Sequence, residues 1–233
     1  MLTIRVDGVP QSLMTVGHIE TLLGIAGLVD AFLSLMKKEK VYTQASADII
    51  RQLDASPYMA VRIWRPVFQS ATELENHIIR CTAGENFRNS HPRADFIIYQ
   101  PPNDGTKKVE FPVMGDRSVG QLRCFFRVRF PSSPTEQSSS RTQAFGRFAA
   151  IRPMVQLALT PSQRLRAMPR FEWAPNKEIM VIRVGSIKRA TCVIPILPSL
   201  RIDTPESPSE LRSKATRFVL NTKVDLETFA MFY

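Results

Sequence analysis

The sequence predicts a mainly β, α+β chain: a small antiparallel barrel or sandwich over residues 58–233, with an N-terminal helical appendage over residues 1–57. Three observations predict it. Short segments with apolar alternation recur from Tyr58 onward, with turn residues between them. Seventeen prolines against ten glycines favour many short elements with rigid connections over long helices. The longest stretch of helical character, residues 18–37, lies near the start. An apolar fraction of 44% in 233 residues is enough to build a sizeable core.

Taken in order, residues 1–7 read as a strand that ends at the turn Asp7–Gly8. Residues 18–37 read as one apolar helix, stopped by Lys37, Lys38, Glu39 and Lys40. Residues 44–53 form a second helix with Ser46 as its cap. Asp54–Pro57 reads as the boundary of the appendage. MAVRIW, residues 59–64, alternates as a strand. Ser70 with Glu73 makes a capping box for a helix over 70–81, with Leu74, Ile78 and Ile79 on its apolar face and Gly84 after its end. ADFIIYQ (94–100) and KKVEFPVM (107–114) read as a hairpin across the turn at 101–105, with Pro112 marking an edge strand. Further strands follow over 145–159, 177–184, 189–197 and 217–221. The serine-rich 131–144 and the proline-rich 198–214 read as loops, and 224–233 as a terminal helical turn.

The clearest strand is QLRCFFRVRF, residues 121–130. Leu122, Cys124, Phe126, Val128 and Phe130 fall on one side; Arg123, Phe125, Arg127 and Arg129 fall on the other. Alternation sends the first set to the core and the second outward, a phenylalanine within a strip of arginines.

Charge concentrates in the same region. The net charge is +10, and residues 117–189 hold 14 basic side chains against 3 acidic ones. Every other part of the chain is close to balanced. Twelve of the 14 are arginine, whose planar fork pairs with phosphate and stacks on aromatic faces.

Cys81, Cys124 and Cys192 are odd in number and far apart, with no CxxC pair, so they read as reduced thiols in an intracellular compartment. The start of the chain lacks the pattern of a secretory signal. Glu20 and Asp30 interrupt the apolar stretch 19–36, which therefore reads as a buried helix, or one awaiting a protein partner, and not as a membrane span.

HPRADFIIYQ (91–100), VGQLRCFFRVRF (119–130), FGRFAAIRPM (145–154), EIMVIRVGSIKRATCVIPIL (178–197) and FVLNTKVDLETF (218–229) occur in that order. Together they resemble the region downstream of the transposase core in proteins of fungal DNA transposons, the Kyakuja–Dileera–Zisupton and Plavaka types. The resemblance spans residues 91–229. It implies a nuclear, DNA-associated setting, with the family's catalytic carboxylates outside this chain.

No complete catalytic constellation is legible, and the sequence predicts no enzyme, metal or cofactor. A metal-dependent nuclease needs carboxylates that converge on two ions, whereas Asp95, Asp116, Asp203 and Asp225 occupy unrelated local contexts. His18, His77 and His91 lack metal-ligand spacing. There is no phosphate-binding glycine loop, since GIAG at 24–27 falls inside the apolar helix, and no nucleophile elbow. The expected function is nucleic-acid binding through Arg123, Phe125, Arg127 and Arg129, extended by Arg147 and Arg152 from a neighbouring strand. The alternatives are a protein-interaction module using helix 19–36 and, last, a nuclease. A small-molecule ligand and a membrane are not expected.

Overall fold

A computed structural model describes residues 3–7, 13–40, 46–58, 60–66, 74–82, 93–101, 117–130, 145–158, 169–175, 179–196 and 215–221. The described chain is mostly strand, in a ten-stranded curled antiparallel half-barrel and a separate four-stranded sheet. The expected mainly β class with helices at the N-terminal side is the observed one.

The spine of the large sheet is a pair of long strands, β8 (Ser118–Arg129) and β9 (Phe145–Gln156). Each is long enough to take two partners along its outer edge. The first half of β8 pairs with β7 (Phe96–Tyr99), and its second half pairs with β3 (Asp54–Tyr58). On β9, the early residues pair with β11 (Met180–Arg183) and the late ones with β10 (Arg170–Trp173). β10 leads on to β14 (Arg217–Leu220). The expected strand 189–197 divides at Cys192 into β12 (Ile187–Thr191), on β7, and β13 (Val193–Ile196), on β14. The two end strands of the sheet are thus consecutive in the chain, and the strand order returns on itself. Ile98, Val119, Met154, Phe171, Phe218 and Leu220 fill the curl.

Helices cover one face of the spine. α1 (Val16–Leu22) is capped by Thr15, whose Oγ1 accepts from the His18 amide at 3.2 Å. α2 (Leu28–Glu39) follows. The single helix expected over 18–37 is broken because Gly24 and Gly27 have φ of +59° and +82°, a left-handed backbone that glycine adopts without a Cβ penalty. The GIAG segment is therefore a turn. The Glu20 carboxylate accepts from the amides of Gly27 and Val29 at 3.3 and 3.1 Å, satisfying donors at the start of α2. α3 (Ala47–Gln52) is capped by Ser46 as expected, with Ser46 Oγ accepting from the Ile49 amide.

Phe32 of α2 meets Phe126 and Phe148 edge-on, at ring centroid distances of 5.5 and 4.7 Å. Ile19, Leu28, Val29, Leu35, Met36 and Ile50 share that core with Phe126, Val128, Phe148, Ala150 and Val181 of the sheet. Residues 1–57, expected as an appendage, supply three helices and a strand to it. Asp54–Pro57, expected as a boundary, lies inside β3. Pro57 is accommodated because the neighbouring β2 (Met14–Thr15) reaches only Ala55 and Asp54, leaving the far end of β3 an edge.

The opposite face of the spine is covered by the small sheet, ordered β1 (Thr3–Asp7), β4 (Ala60–Pro66), β5 (Leu74–Thr82), β6 (Arg93–Ala94). Val61, Ile79 and Cys81 pack with Tyr58, Leu122, Phe125, Ala149 and Ile182. Here the sequence expectation of a helix over 70–81 is overturned. Residues 74–82 form β5, in register with β4 from Ala60↔Arg80 to Pro66↔Leu74. Ile79 and Cys81 are buried and Arg80 between them is exposed, the period of two of a strand. Residues 107–114, the expected partner of 94–100, lie outside the described residues. So do the segments 131–144, 198–214 and 224–233. β7 pairs instead with β8 and β12.

No helix among the described residues is long and apolar enough to cross a membrane.

Candidate nucleic-acid interface

Backbone register decides which of the six expected residues share a face. Between β8 and β9, Phe125 lies opposite Ala149, Arg127 opposite Arg147, and Arg129 opposite Phe145. On the other side of β8, Tyr58 of β3 lies opposite Phe125 and Ser56 opposite Arg127. Ser56, Arg127 and Arg147 therefore form one cross-strand row. Tyr58, Phe125 and Ala149 form the next row on the same face.

Phe125 does not stand in solvent among arginines. It is 0% exposed, and Tyr58 lies flat over it. This corrects the expected aromatic platform. The alternation rule assumes one wet face, and β8 is central with both faces covered at that point.

Arg123 does not join the strip either. The register shifts between Leu122 and Cys124, a bulge that leaves Arg123 without a register partner on β9. Its carbonyl accepts from the Cys81 thiol at 2.8 Å. The bulge also puts Leu122 in the core beneath the small sheet while Cys124, Phe126 and Val128 face the helices.

Arg152 faces the other way. It lies opposite Gln121, two residues before Met154 of the curled interior, and its guanidinium sits 4.2 Å from the Trp173 ring centroid. Arg127, Arg129 and Arg147 are what remain of the expected set on one face. Arg147 is exposed, while Arg127 and Arg129 are half-buried.

Two neighbours escaped the sequence reading. Ser56 lies in the segment taken as a boundary and Tyr58 directly follows it; their spacing of two residues was the available signal. The Tyr58 hydroxyl is fully enclosed and makes no hydrogen bond. Burial pushes the phenol well above its ordinary range, and the positive charges of Arg147 and Arg127 oppose part of that shift. Tyr58 therefore stays a neutral phenol, within electrostatic reach of both arginines.

The other basic side chains of this region are distributed differently. Arg183 makes a two-pronged contact with Glu39 at the end of α2, with N–O distances of 2.6 to 2.9 Å. Arg189 is buried on β12, its Nε donating to the Ala190 carbonyl at 3.3 Å.

No protein-family model, curated protein or solved structure matches this chain. The chemistry of the row is therefore read from its own residues.

Asp95 serves the backbone, its carboxylate accepting from the Arg80 amide at 2.8 Å where β6 passes into β7. Asp116, Asp203, Asp225 and His91 lie outside the described residues. Among the described residues, no group of three or more His, Cys, Asp or Glu side chains is placed to hold a metal ion. The apolar side chains of 19–36 that an interaction module would present, Ile19, Leu28, Val29, Phe32, Leu35 and Met36, are buried against the chain's own sheet.

Proposed function

We propose that this protein is a non-catalytic, transposon-derived module that binds nucleic acid through backbone phosphates, with little sequence preference, in the nucleus. One observation carries the reading: Arg127 directly faces Arg147 across β8 and β9, with Arg129 two residues further along the same face. Arginine's planar fork pairs with phosphate oxygens, so a row carrying several arginines on one face suits a polyanion. Arginine excess in residues 117–189 supports it, as does the likeness of residues 91–229 to transposon proteins. With Phe125 enclosed, base stacking at this face drops out, and the recognition reduces to phosphate contacts.

The test is a gel-shift titration of the full chain against single-stranded DNA, duplex DNA and RNA at two salt concentrations. Three phosphate contacts give a slope of log affinity against log salt of about −2 to −3. A flat salt response, or no shift with any nucleic acid, removes the reading.

A further inference from the structure

We propose that a bound nucleic-acid strand continues from Arg147 over the end of β11 to the last turn of α2, where Lys37 and Lys40 take further backbone phosphates. The inference rests on the nucleic-acid reading and names the path of the strand beyond the arginines of β8 and β9.

Three observations converge on it. First, β11 pairs with β9 as far as Arg183↔Phe148 and then ends in a 3-10 turn, Val184–Ser186. Continuing that register brings exposed Arg147, the residue before Phe148, beside the turn. Second, Arg183 anchors the end of α2 at the same place. Its guanidinium lies 5.4 Å from the Phe148 ring centroid and holds the Glu39 carboxylate at 2.6 to 2.9 Å. Glu39 is the one carboxylate in the run of residues 37–40, whose three lysines are exposed, and β9 and β11 contain no acidic residue. With Glu39 held by Arg183, the last turn of α2 keeps a net positive charge. Third, Gly185 lies between the two basic groups. It is exposed, and a side chain begun there would meet no atom within 4 Å. The backbone at the turn is therefore open to close approach by a ligand.

Spacing selects the kind of ligand. Neighbouring strands lie about 4.8 Å apart and a helix packs roughly 10 Å from what it covers, so Arg147 and the end of α2 are on the order of 15 Å apart. A single free phosphate does not bridge that distance. One strand of nucleic acid, with a charge about every 3.4 Å, does.

The experiment measures binding of a labelled oligothymidylate to the full chain over a series of salt concentrations. Two lysines added to the three arginines of β8 and β9 steepen the slope of log affinity against log salt to about −3.5 for a single strand. Lys37→Gln with Lys40→Gln is expected to return the slope to about −2 and to weaken binding about tenfold at low salt. Gly185→Glu, which sets a negative charge on the open turn, weakens binding in the same direction. Arg170→Gln with Arg217→Gln removes the same charge from exposed positions at the far end of β9, roughly 26 Å away at about 3.3 Å per residue, and is expected to change affinity less than about twofold. An unchanged slope in the lysine variant, or an equal loss in the arginine control, overturns the path. In either case the nucleic-acid reading stands as long as the wild-type chain binds with a slope of about −2. Absence of binding by the wild-type chain removes both.

Discussion

Tyr58 lies flat on Phe125, with ring centroids 5.3 Å apart and planes 5° from parallel. The contact joins β3 to the centre of the sheet and closes the face on which the arginines begin. Truncation to alanine removes a large buried ring, and Tyr58→Ala is expected to destabilise the fold by about 3–5 kcal/mol. Tyr58→Phe keeps the stack and deletes a hydroxyl without a hydrogen bond. It is expected to leave stability unchanged or raise it by about 1 kcal/mol. Urea titration of both variants reads the difference, and a marked loss in the phenylalanine variant contradicts the enclosed, unbonded hydroxyl.

Alkaline pH is expected to weaken the fold. Burial pushes the Cys81 thiol up from its ordinary 9.0 to about 12; the charge of Arg123 pulls it down and Asp95 pushes it up further. Cys124, Tyr58 and Tyr99 move in the same direction, burial again the main cause. The folded state holds these protons more tightly than the unfolded chain does. Their contribution to stability is therefore complete below about pH 9 and is lost as pH rises towards the folded values. Urea midpoints measured at pH 7, 9 and 10.5 check the sign, and a midpoint that climbs over that range refutes it.

Arg183 and Glu39 tie the end of α2 to β11, but the pair is partly exposed, at 44% and 23% of the side-chain surface. Solvent screening limits its worth, so Glu39→Gln is expected to cost less than about 1 kcal/mol. The effect should shrink in high salt. Denaturation of the variant at low and high ionic strength tests this.

Much of the fold was legible in the sequence because binary patterning is local. The strand at 121–130, the cap at Ser46 and the strand-rich later chain all follow from residue spacing. What escaped depends on partners distant in sequence. Leu74, Ile78 and Ile79 suit a helix face as well as a strand, and pairing with β4 selects the strand. Pro57 suggests a break until the short reach of β2 shows that a proline fits there. Phe125 on the polar side of the pattern was itself a sign that this side is covered. Arg147 and Arg152 are five residues apart, an odd number, so a regular strand sends them to opposite faces. That much was readable, whereas the bulge at Arg123 was not.

The most direct test of the interface is Arg147→Glu, read for stability and for nucleic-acid affinity together. A carboxylate at 147 would face Arg127 in register and form an opposite-charge cross-strand pair. The variant is therefore expected to stay folded while its affinity for DNA and RNA collapses. Unchanged affinity in a folded Arg147→Glu chain contradicts the account.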